Sequence, residues 1–422
     1  MAPLPTAHGP IRATIAVPGS KSIANRALVC AALAAGRSTI EHVAPGDDTV
    51  AMIEGLRNLG TNITVSGATV MVDGGALRGG ATIDARLAGT TSRFLTALAA
   101  LSLEPTVVDG GDALRRRPMA ELHDSLRSLG ADVRSTNGCL PVTVARAALT
   151  GGRVELRGDV SSQFVSALMM IGPTLPGGLR IDLSTPLVSR PYVAITASVM
   201  SSFGAEGITV GERTIGVESS AYRACSYAIE SDASSASYPL AAAAITGGAV
   251  RVLGIGRGAL QGDARFADLM ADMGCRVERD ESGTTVIGTG RLRGIDVDMA
   301  DISDLVPTVA AVAAFADTPT RITGVGFIRH KESDRIADVV DGLRAIGCPA
   351  EETTDGLVVR PVDRASYRGT SLRVHDDHRL AMSWSLLALA VPEVEVDDPT
   401  VVAKSWPEWW TVRSDLLGGD VR

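Results

Sequence analysis

The feature that most limits how this chain can fold is a repeat of about 70 residues. An apolar-x-x-apolar-Gly ending recurs in LRNLG, LRSLG, LMADMG and LRAIG, and more loosely in VMSSFG and DLLGG. Its glycines fall at 60, 130, 204, 274, 347 and 418, at intervals of 70, 74, 70, 73 and 71. A Gly at that place is a plausible helix C′ cap. After most copies come short alternating segments broken by turn residues, such as ITVSGATVMV, VRSTNGCLPVTV and AEETTDGLVV, which read as hairpins. A second series has the same period. Polar Ser/Thr/Asp clusters precede Ala/Leu-rich helical patterns, with Ser22, Thr91, Ser162, Ser234, Asp304 and Asp377 spaced by 69, 71, 72, 70 and 73. Each unit therefore reads strand, polar turn, helix, strand, second turn, helix, hairpin.

Six such units exceed the size at which one core keeps growing, so two domains of three units each are expected. The crossing falls near residues 224–235, which gives a first lobe at 18–230 and a discontinuous second lobe at 1–17 plus 231–422. The fold class is α/β with segregated α+β repeats of βαβαββ type.

Composition narrows the function. The chain has 422 residues and a net charge of −8, and no basic run favours nucleic acid or an anionic membrane surface. No apolar stretch approaches the ~18 residues of a membrane span. The five cysteines lie at least 50 residues apart, with no C-x-x-C and no Cys/His cluster at ligand spacing, so free thiols in a reducing cytoplasm and no metal site are expected. The opening 22 residues lack a charged segment followed by an apolar one, so no secretory leader is expected. Walker A, G-x-S-x-G and a full dinucleotide-binding fingerprint are absent. GIGRG at 254–258 matches only the first half of the last.

Lysine usage is the sharpest clue. Of 40 basic residues only Lys21, Lys331 and Lys404 are Lys, and all three fall in turns before or at predicted helix starts. A compact ammonium that can sit as a point charge on phosphate is what Arg cannot replace. Arg26, Arg93, Arg117, Arg335 and Arg379 share these turns, with His378 beside the last. Any one of them reads as a solvated or locally paired cation. The set, at dipole-positive helix ends of an acidic chain, implies a ligand with more than one acidic group. Asp304 and Glu332 lie in consecutive turns of one repeat. Alone they read as a helix cap and a first-turn acid; beside Lys331 they could divide proton transfer between them.

The motifs VPGSKSIANRAL (17–28), LAGTTSRF (87–94), RRRPM (115–119), DVSSQF (159–164), LVSRPY (187–192), ESDASSASY (230–238), LQGDARF (260–266), HKESDRI (330–336), DDHRLAM (376–382) and VAKSWPEWW (402–410) span the chain, and together it resembles the enolpyruvyl transferases. The resemblance implies that family's fold, an inside-out α/β barrel in each of two similar domains with an interdomain cleft. It implies transfer of enolpyruvyl from phosphoenolpyruvate to the 5-hydroxyl of shikimate-3-phosphate, with release of phosphate, on the way to chorismate. It implies a cytoplasmic monomer that needs no cofactor or metal and binds small-molecule substrates only.

Carried over position by position, Ser22, Arg26, Ser161, Ser162, Gln163 and Ser189 are shikimate-3-phosphate contacts, with Tyr192 under its ring. Lys21, Gly89, Arg117, Arg335, Arg379 and Lys404 are implied to form the phosphoenolpyruvate cage, with Gln163 shared. The resemblance implies that Asp304 takes the 5-hydroxyl proton, that Glu332 handles the proton at the methylene carbon, and that Lys331 touches the acceptor and can help either transfer. Lys21 counts with Asp304 and Glu332 as catalytic. The family's inhibitor glyphosate is expected to bind beside Gly89. Three positions depart from the common pattern: Leu87 and Phe327 stand where Asn is frequent, and Phe94 where Pro is. The alternatives are the sister activity on UDP-N-acetylglucosamine, which calls for a loop Cys missing around LRRRPM, and a non-catalytic binder of phosphorylated metabolites, which would have no need of Asp304 and Glu332.

Overall fold

In a computed structural model, which describes residues 3–418, the chain divides into two compact units. One runs from Gly19 to Ile229, and the other joins the chain before Gly19 to the chain from Glu230 onward. Of the second lobe expected at 1–17 plus 231–422, residues 1–2 and 419–422 lie outside the described residues. Each unit has its own hydrophobic core.

Residues 82–145 show the repeat in full. Strand Thr82–Asp84 leads to helix Gly89–Ala99, strand Thr106–Asp109, helix Ala120–Ser128 and the hairpin Asp132–Ser135 with Val142–Ala145. Among the described residues this plan gives five four-stranded sheets with one pairing scheme. In each, two strands run parallel and the second also pairs antiparallel with the hairpin. The hairpins alternate because one face covers the core: in Thr69–Gly74 it is Val70 and Val72 that are buried. Strand Arg12–Ala16 pairs in parallel with Ala249–Leu253, and Ser226–Ala228 with residues 39–41, so each unit takes a strand from a distant part of the chain.

Gly60, Gly130, Gly204, Gly274 and Gly347 all adopt positive φ, between 85° and 103°, where the chain leaves a helix for its hairpin. Only glycine does this without steric cost, and the spacing of these positions is why the repeat shows so clearly in the sequence. The sixth ending behaves differently, since Gly418 lies within the last helix, Trp409–Gly418. Among the described residues the sixth sheet has two strands, Ser371–Leu372 and Glu395–Val396.

The Ala/Leu-rich segments form the central helices, which we number α1 (Lys21–Leu33), α2 (Gly89–Ala99) and α3 (Ser162–Ile171) in the first unit, and α4 (Ala233–Thr246), α5 (Val306–Ala313) and α6 (His378–Leu387) in the second. A helix apolar on every side belongs in the interior, and all of Ala233–Ile245 in α4 is buried. Among the described residues no helix is long and apolar enough to cross a membrane.

Candidate active site

In the first unit, short hydrogen bonds tie the starts of the central helices together. Lys21, the first residue of α1, pairs through Nζ with Asp48 Oδ2 at 2.9 Å. Thr91 in α2 donates to the Asp48 carbonyl at 3.1 Å, and Gln163 Nε2 in α3 donates to Thr90 Oγ1 at 3.2 Å. Neither α1 nor α2 has a side-chain cap, so their first N–H groups and dipoles keep the capacity to hold an anion. In α3, Ser161 caps by accepting from the Gln163 N–H at 3.2 Å, the ordinary role of a helix-start Ser, and Ser162 opens the helix.

Gly89 begins α2 in a crowded place. A Cβ there would stand 2.7 Å from Arg117 Nη1, 2.9 Å from Arg93 Nη1 and 3.7 Å from Gln163 Oε1. Lys21, Gly89, Arg117 and Gln163, drawn from four sequence motifs, thus belong to one neighbourhood of this unit.

Arg26 sits deeper. It is 2% exposed and donates from Nε to Thr196 Oγ1 at 2.7 Å, from Nη1 to the Ser22 carbonyl at 2.7 Å and from Nη2 to Ser166 Oγ at 3.1 Å. Its guanidinium also lies over the rings of Phe94, at 5.3 Å, and Tyr192, at 5.8 Å. Burial lowers its pKa to about 10, so it stays cationic at neutral pH. Arg26 therefore fixes α1 to α3 and to the helix Arg190–Ser202, and carries Tyr192 with it. Ser189, just before that helix, is held at φ 54°, a costly geometry for a residue with a side chain and a frequent sign of a working position.

The second unit gathers the other candidates into one knot. Arg335, 1% exposed, donates to three carboxylates: Asp377 at 2.7 Å, Asp304 at 2.9 Å and Glu332 at 2.7 Å. Arg379 Nη2 donates to the second oxygen of Asp304 at 2.6 Å, Lys404 Nζ to Glu332 at 3.2 Å, and Lys331 Nζ lies 3.7 Å from Asp304. Burial alone would raise the Asp304 pKa, but Arg379, Lys331 and Arg335 overcome it and hold this carboxyl far below the usual range. Burial, helped by Arg335 and Arg379, lowers Lys331 from its ordinary value against the pull of Asp304 and Glu332.

Two ordinary readings of these acids do not hold. Asp304 lies in the 3-10 turn Ser303–Leu305 and caps no helix; Glu332 precedes helix Ala337–Ala345 by a full irregular turn. Lys331 and Lys404 close the 3-10 turns Gly326–His330 and Pro399–Lys404, which precede helices Ala337–Ala345 and Trp409–Gly418. Asp377 caps α6, accepting from the Arg379 N–H at 2.9 Å, and the same carboxylate binds Arg335. His375 and Asp376 before it both take positive φ, 49° and 57°. Phe327 lies under Lys331, 6.0 Å from ring centre to Nζ.

Sequence reasoning missed Asp48 as the partner of Lys21 and Asp377 as an anchor of Arg335. The signals were faint: an acidic pair opening the helix Asp47–Asn58, and the second Asp of DDHR.

The family model for EPSP synthase (3-phosphoshikimate 1-carboxyvinyltransferase) matches residues 5–412. A 3-phosphoshikimate 1-carboxyvinyltransferase of Methanosphaerula palustris is 39% identical over 411 residues, covering 96% of each chain. One from Methanoculleus marisnigri is 41% identical over 409 residues, covering 95% of this chain and 96% of its own. A solved structure of EPSP synthase from Acinetobacter baumannii superposes with a TM-score of 0.82 over 98% of this chain and 97% of that one, at 24% identity, so the likeness there is of fold.

Proposed function

The chain belongs to the EPSP synthase family, and from that premise we propose that it transfers enolpyruvyl from phosphoenolpyruvate to the 5-hydroxyl of shikimate-3-phosphate. The observation that carries this reading is the knot around Arg335, where four cations face three carboxylates and two of those carboxylates, Asp304 and Glu332, touch the chain's rare lysines.

Both substrates are polyanions. An arriving carboxylate or phosphate competes with Asp304 and Glu332 for Arg335, Arg379 and Lys404. A carboxylate that loses those partners becomes more basic, so binding itself converts a neutralised acid into a usable base. Protonation of the methylene carbon of phosphoenolpyruvate, with Glu332 supplying the proton, develops oxocarbenium character at the neighbouring carbon. The 5-oxygen attacks that carbon as Asp304 takes its proton. The tetrahedral adduct then breaks its carbon–oxygen bond to phosphate and returns a methyl proton to Glu332, leaving a vinyl ether. Lys404 stabilises the departing phosphate. In the first unit Ser22, Arg26, Ser161, Ser162, Gln163 and Ser189 hold the acceptor, with Tyr192 under its ring. Phosphate released only when both substrates are present is the expected result, measured against omission of each. No release above those controls refutes the reading.

A further inference from the structure

One buried carboxyl beside the knot has no part in the chemistry above. Asp263, 4% exposed in the 3-10 turn Gly262–Arg265, accepts a hydrogen bond from the Ser234 hydroxyl in the first turn of α4. The same hydroxyl accepts from Arg379 Nη2 at 3.5 Å, and that nitrogen donates to Asp304 at 2.6 Å. Asp263, Ser234, Arg379 and Asp304 therefore form one chain of contacts ending on the proposed base. The turn is firmly set. Gln261 Oε1 accepts from the Ala233 N–H at 3.1 Å, and its Nε2 donates to Glu230 Oε1 at 2.7 Å and to the Ser231 carbonyl at 2.6 Å.

We propose that Asp263 is a positioning residue for the transfer, steadying Arg379 through Ser234 and setting the basicity of Asp304 through its own charge. The proposal rests on the reading of the site given above.

Asp263 is faced by Ser234 and Asp232 from α4 and its cap, by Asp304 from the turn Ser303–Leu305 and by Arg379 from α6; Asp268, on the helix packed behind, is paired with Arg279 at 3.1 Å. Burial first, then the charge of Asp304, pushes the Asp263 carboxyl up to about 7, with Arg379 and Ser234 opposing and Asp232 assisting. Below that pH the site holds one proton more than its other carboxylates account for. Above it, a second negative charge stands near Asp304, raises its affinity for a proton and makes it the stronger base.

The test is D263N, which keeps shape and removes charge. The ratio of wild-type to variant kcat for phosphate release should grow about three- to tenfold between about pH 6 and about pH 8.5, the consequence of roughly half to one pKa unit at Asp304. KM for shikimate-3-phosphate should not follow it. The infrared band of a protonated buried carboxyl in ligand-free protein should titrate near neutrality and be absent in D263N. In S234A that titration should move to higher pH, since a bond favouring the ionised form is gone, and this variant decides the matter should D263N not fold. A ratio flat with pH in an active enzyme, or a band that survives in D263N or does not move in S234A, overturns the proposal alone. A wild type that releases no phosphate overturns the transfer reading and the positioning role with it.

Discussion

Gly89→Ala puts a single methyl group at a crowded point of the first unit's candidate site. Its Cβ would lie 2.7 Å from Arg117 Nη1 and 2.9 Å from Arg93 Nη1, against the 3.4 Å of ordinary contact, so both guanidiniums must retreat, Arg117 by about 0.7 Å. Neither is backbone, and Gly89 opens α2 without a positive φ, so the helix accepts alanine and gains some propensity from it. The damage falls on the ligand. A charge-assisted hydrogen bond contributes about 1.5–3 kcal/mol, and a displacement of this size removes about half to two-thirds of it. At about 1.4 kcal/mol per tenfold, KM for phosphoenolpyruvate should rise about 3- to 30-fold, with the thermal midpoint not lowered. Glyphosate, taken to fill the space beside the missing side chain, should lose more: its inhibition constant should rise by a larger factor than KM. Steady-state kinetics with a glyphosate titration of both proteins decides this. An inhibition constant unmoved by the methyl group, or one rising no more than KM, would refute the reasoning.

The remaining predictions concern the second unit. Asp304→Asn and Glu332→Gln should each lower kcat about 10²- to 10⁴-fold with much smaller changes in KM, as loss of a proton-transfer group does; unchanged turnover in either strips that residue of its role. Arg335→Met leaves Asp304, Glu332 and Asp377 without their common cation, and denaturant unfolding should show a loss of about 3–5 kcal/mol, whereas stability equal to wild type would contradict the account of the knot. Asp304 has a depressed carboxyl pKa, so its contribution to stability is present above the unfolded value near 3.9 and fades as pH falls below it; the difference in stability between wild type and D304N should shrink from about pH 5 to about pH 2, and a constant difference would be contrary.

The repeat was legible because backbone sterics wrote it. A left-handed turn after a helix demands glycine, and a half-buried hairpin demands alternation, so Gly60 through Gly347 and segments such as ITVSGATVMV repeat at the period of the fold. The scarce lysines were legible for a chemical reason, since substituting Arg nearly everywhere else makes the exceptions visible. What stayed hidden depends on contacts between distant residues. Asp377 meets Arg335 across 42 positions, Asp48 meets Lys21 across 27, and Asp263 meets Ser234 across 29; no local pattern marks such pairs. Asp304 and Glu332 read singly as helix-start acids, and beside Lys331 as a pair for proton transfer. Propensity favours Asp and Glu in a helix's first turn, whereas Asp304 lies in a 3-10 turn and Glu332 in an irregular one, both bound to Arg335.

Enolpyruvyl transfer by addition and elimination passes through a methyl group, so it leaves a mark that no other route to the same product leaves. With both substrates in D2O, the vinyl group of the product, read by proton NMR and mass, should carry deuterium from solvent. A product formed with its vinyl protons wholly unexchanged, or no product at all, would contradict the account.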